Sequence, residues 1–287
     1  MSVHTAPILP DPHDVLTELQ HSLPQFSTIE WVENTESTNA DLMQRAHDAD
    51  GSRLMPWLRG AHHQNAGRGR AGRTWQNRRG ANLMFSCAFD LFMPGRQLPA
   101  LSPLSGLLTC KALRACLDPA HAALLNVKWP NDILWKNAKL AGILVEATRA
   151  GTSRHSPDHH IVVIGLGINL SDARSLSQSL DRQVADWSEI MAIDTHARGI
   201  GCAELVSRVA RHWYNGLNEL IAKGLDELPE NFAAVDALIG QSVNVLHDNH
   251  VIHTGTACGL NALGQLRVRT AQGEQAVSVG EISVRPR

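Results

Sequence analysis

Apolar positions change their period several times along this chain, and each change marks an element. From Asp14 to Leu23 they recur at helical spacing, Ile29 to Val32 reads as a short strand, and a turn is expected at Glu33 to Glu36. Ser37 and Thr38 stand where a helix cap belongs, ahead of the helix formers Asn39 to Ala46. Leu54 to Leu58 predicts a strand, Asn82 to Leu91 a second and more apolar one, and Leu98 to Leu117 a buried helix. Beyond Pro119 come four compact apolar segments, Leu124 to Trp129, Ile133 to Trp135, Leu140 to Ala147 and Ile161 to Leu170, which read as central strands of one mixed sheet. A polar hairpin loop is expected at Gly151 to His160, and an irregular connection with helical patches at Ser171 to Arg198. The helical period returns from Ala203 to Ala222, and a short helical segment follows at Leu228 to Leu238. Short strands then recur at Val243 to Leu246, His250 to Thr256, Gly264 to Val268 and Gln275 to Val279, between turn residues, as in a small all-β module. The order predicts an α/β (α+β) protein whose mixed-sheet domain precedes that module.

Composition narrows this picture. A chain of 287 residues that is 43% hydrophobic can bury a full core plus an accessory domain. Its 26 basic and 28 acidic residues leave a net charge of -2, which gives no general attraction to nucleic acid or anionic membrane. No apolar run has membrane-spanning length and the amino terminus lacks a leader pattern, so a cytoplasmic protein with no membrane partner is expected. The five cysteines are widely spaced without a Cys-x-x-Cys pair, as suits reduced, buried thiols. His62-His63 and His159-His160 read as polar turns, and no histidine pair has metal-ligand spacing around a glutamate, so no protein-held transition metal is expected.

Four clusters carry candidate chemistry. Gly67-Arg68-Gly69-Arg70-Ala71-Gly72-Arg73-Thr74-Trp75 alternates glycine, which permits close backbone approach, with arginine, whose donor fork matches phosphate or carboxylate. Trp75 adds a flat face for stacking. The run also satisfies Gly-x-Gly-x-x-Gly, but its flanks read as polar rather than as strand before and helix after, so a dinucleotide fingerprint is rejected. Val127 to Ile133 is a strand broken at Pro130 that exposes Asn131 and Asp132, a pair that also suits an ordinary turn. Lys139 opens the strand Leu140 to Val145, which contains Gly142 in its interior. In Ile161 to Leu170, alternate Gly165 and Gly167 leave one face bare ahead of Asn169, either for a flat ligand or for tight packing.

Together these clusters describe a site for a nucleotide and an acid, and the sequence strongly resembles the biotin protein ligase family. The resemblance rests on Ser37-Thr38-Asn39, Gly67 to Arg73 with Trp75, Lys128 to Asp132, Lys139 to Glu146, Gly165 to Asn169, and Gly280 to Arg285. It covers about residues 30 to 287. It implies a catalytic domain at 29–238, an SH3-like β-barrel at 239–287 and an N-terminal extension at 1–28. It also implies ATP-dependent joining of biotin to a lysine of a biotin carboxyl carrier protein through biotinyl-5′-AMP, with Mg²⁺ accompanying ATP.

By resemblance, Ser37, Thr38, Asn39, Gln64, Gly67, Arg68, Gly142, Gly165 and Gly167 surround biotin. Lys139 and Arg70 are the catalytic cations, with Lys139 also reaching the biotin carboxylate. Arg70, Trp75, Lys128, Asn131, Asp132, Asn169 and Arg285 serve ATP, and the loop is expected to be disordered until ligand closes it. Asn65, where many members have a second glutamine, and Ala71 depart from the common pattern, and Ala71 lowers the loop's charge. Only about thirty residues precede the first core strand, too few for the DNA-binding domain of bifunctional members, so no DNA partner is expected. A monomer or weak homodimer is expected. The rival readings are a lipoate or octanoate ligase of the same fold, and a non-enzymatic nucleic-acid binder using the arginine-rich loop.

Overall fold

Seven strands make the main sheet: β1 (Thr28–Thr35), β2 (Trp57–Gln64), β3 (Asn82–Phe92), β4 (Leu125–Lys128), β5 (Asp132–Trp135), β6 (Ala138–Arg149) and β7 (His159–Asn169), in the order β1-β2-β3-β7-β6-β5-β4. This is a computed structural model that describes residues 9–48, 55–150, 157–248, 250–280 and 282–286. β1 and β2 run parallel while the other neighbours are antiparallel, so the sheet is mixed, as the apolar segments imply.

The sheet is buried on two faces, and β7 shows how. Its residues Val162, Ile164, Leu166 and Ile168 join the larger core, whereas Ile161 and Val163 join a second cluster with Leu42 and Ala46. The period-2 rule then puts Gly165 and Gly167 on the second face, beneath the helix that carries Leu42. That helix, α2 (Thr38–Asp48), is one of nine among the described residues. The larger core is built by α1 (Pro12–Ser22), α3 (Leu101–Arg114) and α8 (Cys202–Lys223). Between α3 and α8 lie α4 (Pro119–Ala122), α5 (Ala173–Leu180), α6 (Trp187–Ile193) and α7 (Thr195–Arg198), and α9 (Leu228–Ala233) follows. Val15, Leu19, Trp213 and Phe232 are fully buried there, and Trp213 donates its indole N–H to Thr109 Oγ1 at 3.0 Å.

After α9 the chain forms a separate antiparallel sheet of β8 (Ser242–His247), β9 (His250–Leu260), β10 (Leu266–Thr270), β11 (Gly273–Val277) and β12 (Ile282–Pro286), ordered β11-β10-β9-β8-β12. Trp129 docks it to the main sheet by donating to the Gly264 carbonyl at 3.0 Å. The strand β12 is an addition to the sequence reading, where this segment was only part of a motif.

Several expectations need correction. The strand expected at Leu54 to Leu58 runs instead from Trp57 to Gln64, and Leu54 lies outside the described residues. Its neighbours β1 and β3 bury even its polar residues, so His62 and Gln64 are 6% and 8% exposed. His62-His63 therefore lie in a strand rather than a polar turn. The rejected fingerprint does have its strand, and what it lacks is the following helix: after the loop come irregular chain and a turn. His159 and His160 open β7 and are buried, and of the hairpin loop expected at Gly151 to His160, residues 151–156 lie outside the described residues. The turn expected at Glu33 to Glu36 is strand as far as Thr35. The start of the long helix Leu98 to Leu117 is a tight turn at Gly95–Ala100, and the irregular connection contains α5, α6 and α7.

Candidate active site

The loop after β2 folds into a small hairpin. Gly69 N–H donates to the Arg73 carbonyl at 2.7 Å and Trp75 N–H to the Gly67 carbonyl at 2.8 Å. Its tip turns through left-handed backbone at Ala71 (φ 52°) and Gly72 (φ 68°), conformations that glycine adopts without a steric penalty. The hairpin folds over a cavity of about 600 Å³, a volume usual for a small-molecule site.

One end of the cavity is built from satisfied polar groups and bare backbone. Gln64 Oε1 accepts from the Thr38 backbone N–H at 2.8 Å, Thr38 Oγ1 lies 2.7 Å from Ser86 Oγ, and Ser86 Oγ donates to Asn39 Oδ1 at 2.6 Å. Asn39 Nδ2 donates to Glu146 Oε2 at 2.8 Å, and the same oxygen accepts from Arg68 at 3.1 Å. Gly142 and Gly167 face each other across the β6–β7 pair. A methyl group at Gly167 would lie 2.5 Å from the Trp75 ring, and one at Gly165 2.0 Å from Asn39 Oδ1. The bare glycine face therefore seats the loop's own indole and α2's asparagine. Trp75 Nε1 is buried there without a hydrogen-bond partner.

The other end gathers charge. Lys139 Nζ pairs with Asp132 at 2.5 Å and lies 5.6 Å from the Trp75 ring, so it touches both ends. Arg70 donates to Asn131 Oδ1 at 3.4 Å and to the Gly280 carbonyl at 2.6 Å. Burial pulls the Arg70 guanidinium below the usual arginine range, opposed by Asp132 and reinforced by Arg73. Burial likewise lowers the Lys128 ammonium, against Asp132, with Lys139, Arg285 and Arg182 adding like-charge repulsion. Arg68, Arg73, Arg182 and Arg285 also line the cavity, where among the described residues only Asp132 and Asp181 carry negative charge. A volume with that imbalance suits a polyanion.

Fifteen of the residues singled out in sequence line this cavity: Ser37, Thr38, Asn39, Gln64, Arg68, Arg70, Trp75, Lys128, Asn131, Asp132, Lys139, Gly142, Gly165, Gly167 and Arg285. Gly67 and Asn169 do not. Gly67 is buried under Trp75, where a methyl would sit 3.0 Å from the Trp75 carbonyl oxygen. Asn169 spends its amide on the carbonyls of Lys139 (3.3 Å) and Ala185 (3.1 Å) and accepts from Asn82 at 3.1 Å. It holds the backbone of Lys139 rather than facing the cavity. Sequence reasoning missed Ser86 and Glu146 as supports, and Leu180, Asp181, Arg182 and Val284 as lining residues. Arg182 follows a helical patch with no motif around it, so no sequence signal marked it.

Comparison with known proteins gives the family. The pattern of the biotin/lipoate A/B protein ligase family matches residues 31–169, and that of the biotin protein ligase C terminal domain matches residues 238–285. The chain belongs to the biotin protein ligase family. A biotin–[acetyl-CoA-carboxylase] ligase of Mycobacterium tuberculosis is 38% identical over 148 residues, which is 50% of this chain and 49% of that protein. A ligase of the same name from Paracoccus denitrificans is 29% identical over 256 residues, covering 86% of this chain and 97% of that one. In fold, the chain is similar to the Aquifex aeolicus biotin protein ligase in complex with biotin and ATP, with a TM-score of 0.69 and 24% identity over 91% of this chain and 100% of the other. Membership in this ligase family makes the chain an enzyme. It also bears on the arginine-rich loop as a nucleic-acid patch: Arg68 pairs with Glu146, Arg78 with Asp172 and Arg79 with Glu33, so these cations already have internal partners.

Proposed function

We propose that this protein is a biotin–[acetyl-CoA-carboxylase] ligase that activates biotin as biotinyl-5′-AMP and passes it to a lysine of a biotin carboxyl carrier domain. The observation that carries this reading is one cavity with a neutral, glycine-floored end and a cationic end, with Lys139 in contact with both. Biotin is apolar apart from its ureido ring and carboxylate, so it suits the first end, with Ser37, Thr38, Asn39, Gln64 and Arg68 around it. A triphosphate suits the second, with Arg70, Lys128, Asn131, Asp132 and Arg285. In the first step the biotin carboxylate oxygen bonds to the α-phosphorus while the bond to the bridging oxygen breaks, and pyrophosphate leaves with that electron pair. Both reactants are anions, and Lys139 and Arg70 offset their repulsion and the charge that develops between them. In the second step the carrier's lysine amine attacks the acyl carbon, an amide forms, and AMP departs as the amine loses a proton.

Among the described residues no group of three or more His, Cys, Asp or Glu side chains is arranged to hold a metal, and Asp132 is engaged by Lys139. Mg²⁺ therefore enters with the nucleotide as metal–ATP, with phosphate oxygens as its main ligands. No helix among the described residues is long and apolar enough to cross a membrane. A cytoplasmic site of action and a monomer or weak homodimer complete the proposal. Domain limits at 29–238 and 239–287 suit the two sheets, and the match to a biotin protein ligase C-terminal domain favours biotin over lipoate or octanoate.

The test is incubation with Mg²⁺, ATP, a carrier domain and labelled biotin or lipoate. Label should reach the carrier from biotin alone, and transfer solely from lipoate would sink the assignment.

A further inference from the structure

The cavity's cationic end contains one charge whose position is set by a segment unrelated to the loop, to β5 or to β12. Arg182 lines the main cavity and also a crevice of about 30 Å³ beside Trp75. It is exposed, and among the described residues its guanidinium has no hydrogen-bond or ion-pair partner. It lies close enough to Lys128 to push that ammonium toward deprotonation, as Arg285 does. Three cations from three different elements thus face one volume, and mutual repulsion makes that arrangement costly unless an anion relieves it.

The backbone around Arg182 is built to hold it there. α5 ends at Asp181 in left-handed backbone (φ 46°), and Arg182 N–H donates to the Ser177 carbonyl at 3.3 Å. A non-glycine residue in that region carries a steric cost of about 1 kcal/mol, which the surrounding bonds offset. The next three residues are stitched to the site's own lysine. Lys139 N–H donates to the Gln183 carbonyl at 3.1 Å, and Ala185 N–H donates to the Lys139 carbonyl at 2.9 Å. Ser177 Oγ accepts from Val184 N–H at 3.0 Å and closes the turn. At its start α5 is tied through Asp172 to Arg78, just beyond the loop. The backbone of Arg182 therefore stands at a fixed offset from that of Lys139, and its unpaired guanidinium is free to make bidentate phosphate contact.

We infer that Arg182 binds the terminal phosphates of the nucleoside triphosphate, and hence the pyrophosphate that leaves. This rests on the adenylating reading above and adds a phosphate ligand to it.

The decisive measurement is calorimetric binding of inorganic pyrophosphate to the full chain, which needs no biotin, for wild type, Arg182→Ala and Arg182→Lys, with thermal melting to confirm folding. Loss of a charge-assisted contact should weaken pyrophosphate binding and raise the KM for ATP by roughly tenfold or more in Arg182→Ala. Biotin affinity, measured without nucleotide, should stay within about twofold, and Arg182→Lys should recover part of the loss. Unchanged pyrophosphate affinity in a folded Arg182→Ala, or an equal loss of biotin affinity, overturns the inference. If the wild type binds pyrophosphate in an Arg182-dependent way but fails to activate biotin, the phosphate site stands and the biotin reading falls.

Discussion

The two ends of the cavity differ in how their polar groups are satisfied. At the glycine-floored end, Thr38, Asn39, Gln64 and Ser86 bond to one another and are nearly fully buried, so the pocket keeps its shape without ligand. At the charged end, Lys139, Arg285 and Arg182 all repel Lys128, with Asp132 as the opposing carboxylate. The first end is made for recognition by shape. The second is an unbalanced field that an anionic substrate completes, and chemistry between two anions needs its donors placed in advance.

The sharpest way to break this contrast is Lys139→Ala, which removes the cation that touches both ends. Adenylate formation should slow about a hundredfold or more, because a preorganised charge at the reacting centre is typically worth that much. An unchanged single-turnover rate refutes the role. Behind the charged end, Asp236 pairs its segment with β4 next to Lys128, and burial raises its carboxyl to about 6, with one oxygen lacking any partner. A folded-state pKa above the unfolded value favours folding at low pH. That contribution should be lost as pH rises from about 4 to about 6, by up to about 3 kcal/mol. Asp236→Asn should flatten this slope in denaturant melts across that range, and a slope equal to wild type would exclude Asp236 as its source.

At the recognition end, Gly165→Ala drives a methyl into Asn39 Oδ1 and Ser86 Oγ. Biotin affinity should fall about tenfold or more, as overpacking costs typically 1–3 kcal/mol, while pyrophosphate affinity holds. Parallel losses at both ends would erase the distinction drawn above. Apart from the charge that it removes, Arg70→Gly breaks the bonds to Asn131 and Gly280 that keep the loop down, and the smallest effect is expected on retention of the intermediate. Intermediate should escape a few-fold more often before transfer. Equal partitioning between release and transfer in mutant and wild type would count against a retaining loop.

Much of the site is legible in sequence because its parts are short and chemically unusual: arginines alternating with glycines, Asn131-Asp132 after a proline, a lysine opening an apolar strand. The apolar strands β3 and β7 are legible for the same reason that they are buried. β2 was displaced in the reading because a central strand beside a site carries polar residues such as His62 and Gln64, which break the apolar pattern. Gly67 and Asn169 look in sequence like ligand contacts, yet each serves the backbone that places a neighbour, and residue type alone does not separate those roles. The loop, expected to be disordered until ligand arrives, is here a hydrogen-bonded hairpin whose indole occupies the glycine floor. Gly167 thus has its bare face for a protein side chain as well as for whatever enters beside it.

The bond from Arg70 to the carbonyl of Gly280 ties the loop's resting position to the location of the C-terminal sheet. Linkage makes the dependence mutual. A macromolecule whose docking shifts that sheet changes the loop's equilibrium, and the loop's occupancy changes that macromolecule's affinity by the same factor. Any shift of the segment that bears Gly280 therefore breaks one of the two hydrogen bonds that Arg70 makes from the hairpin.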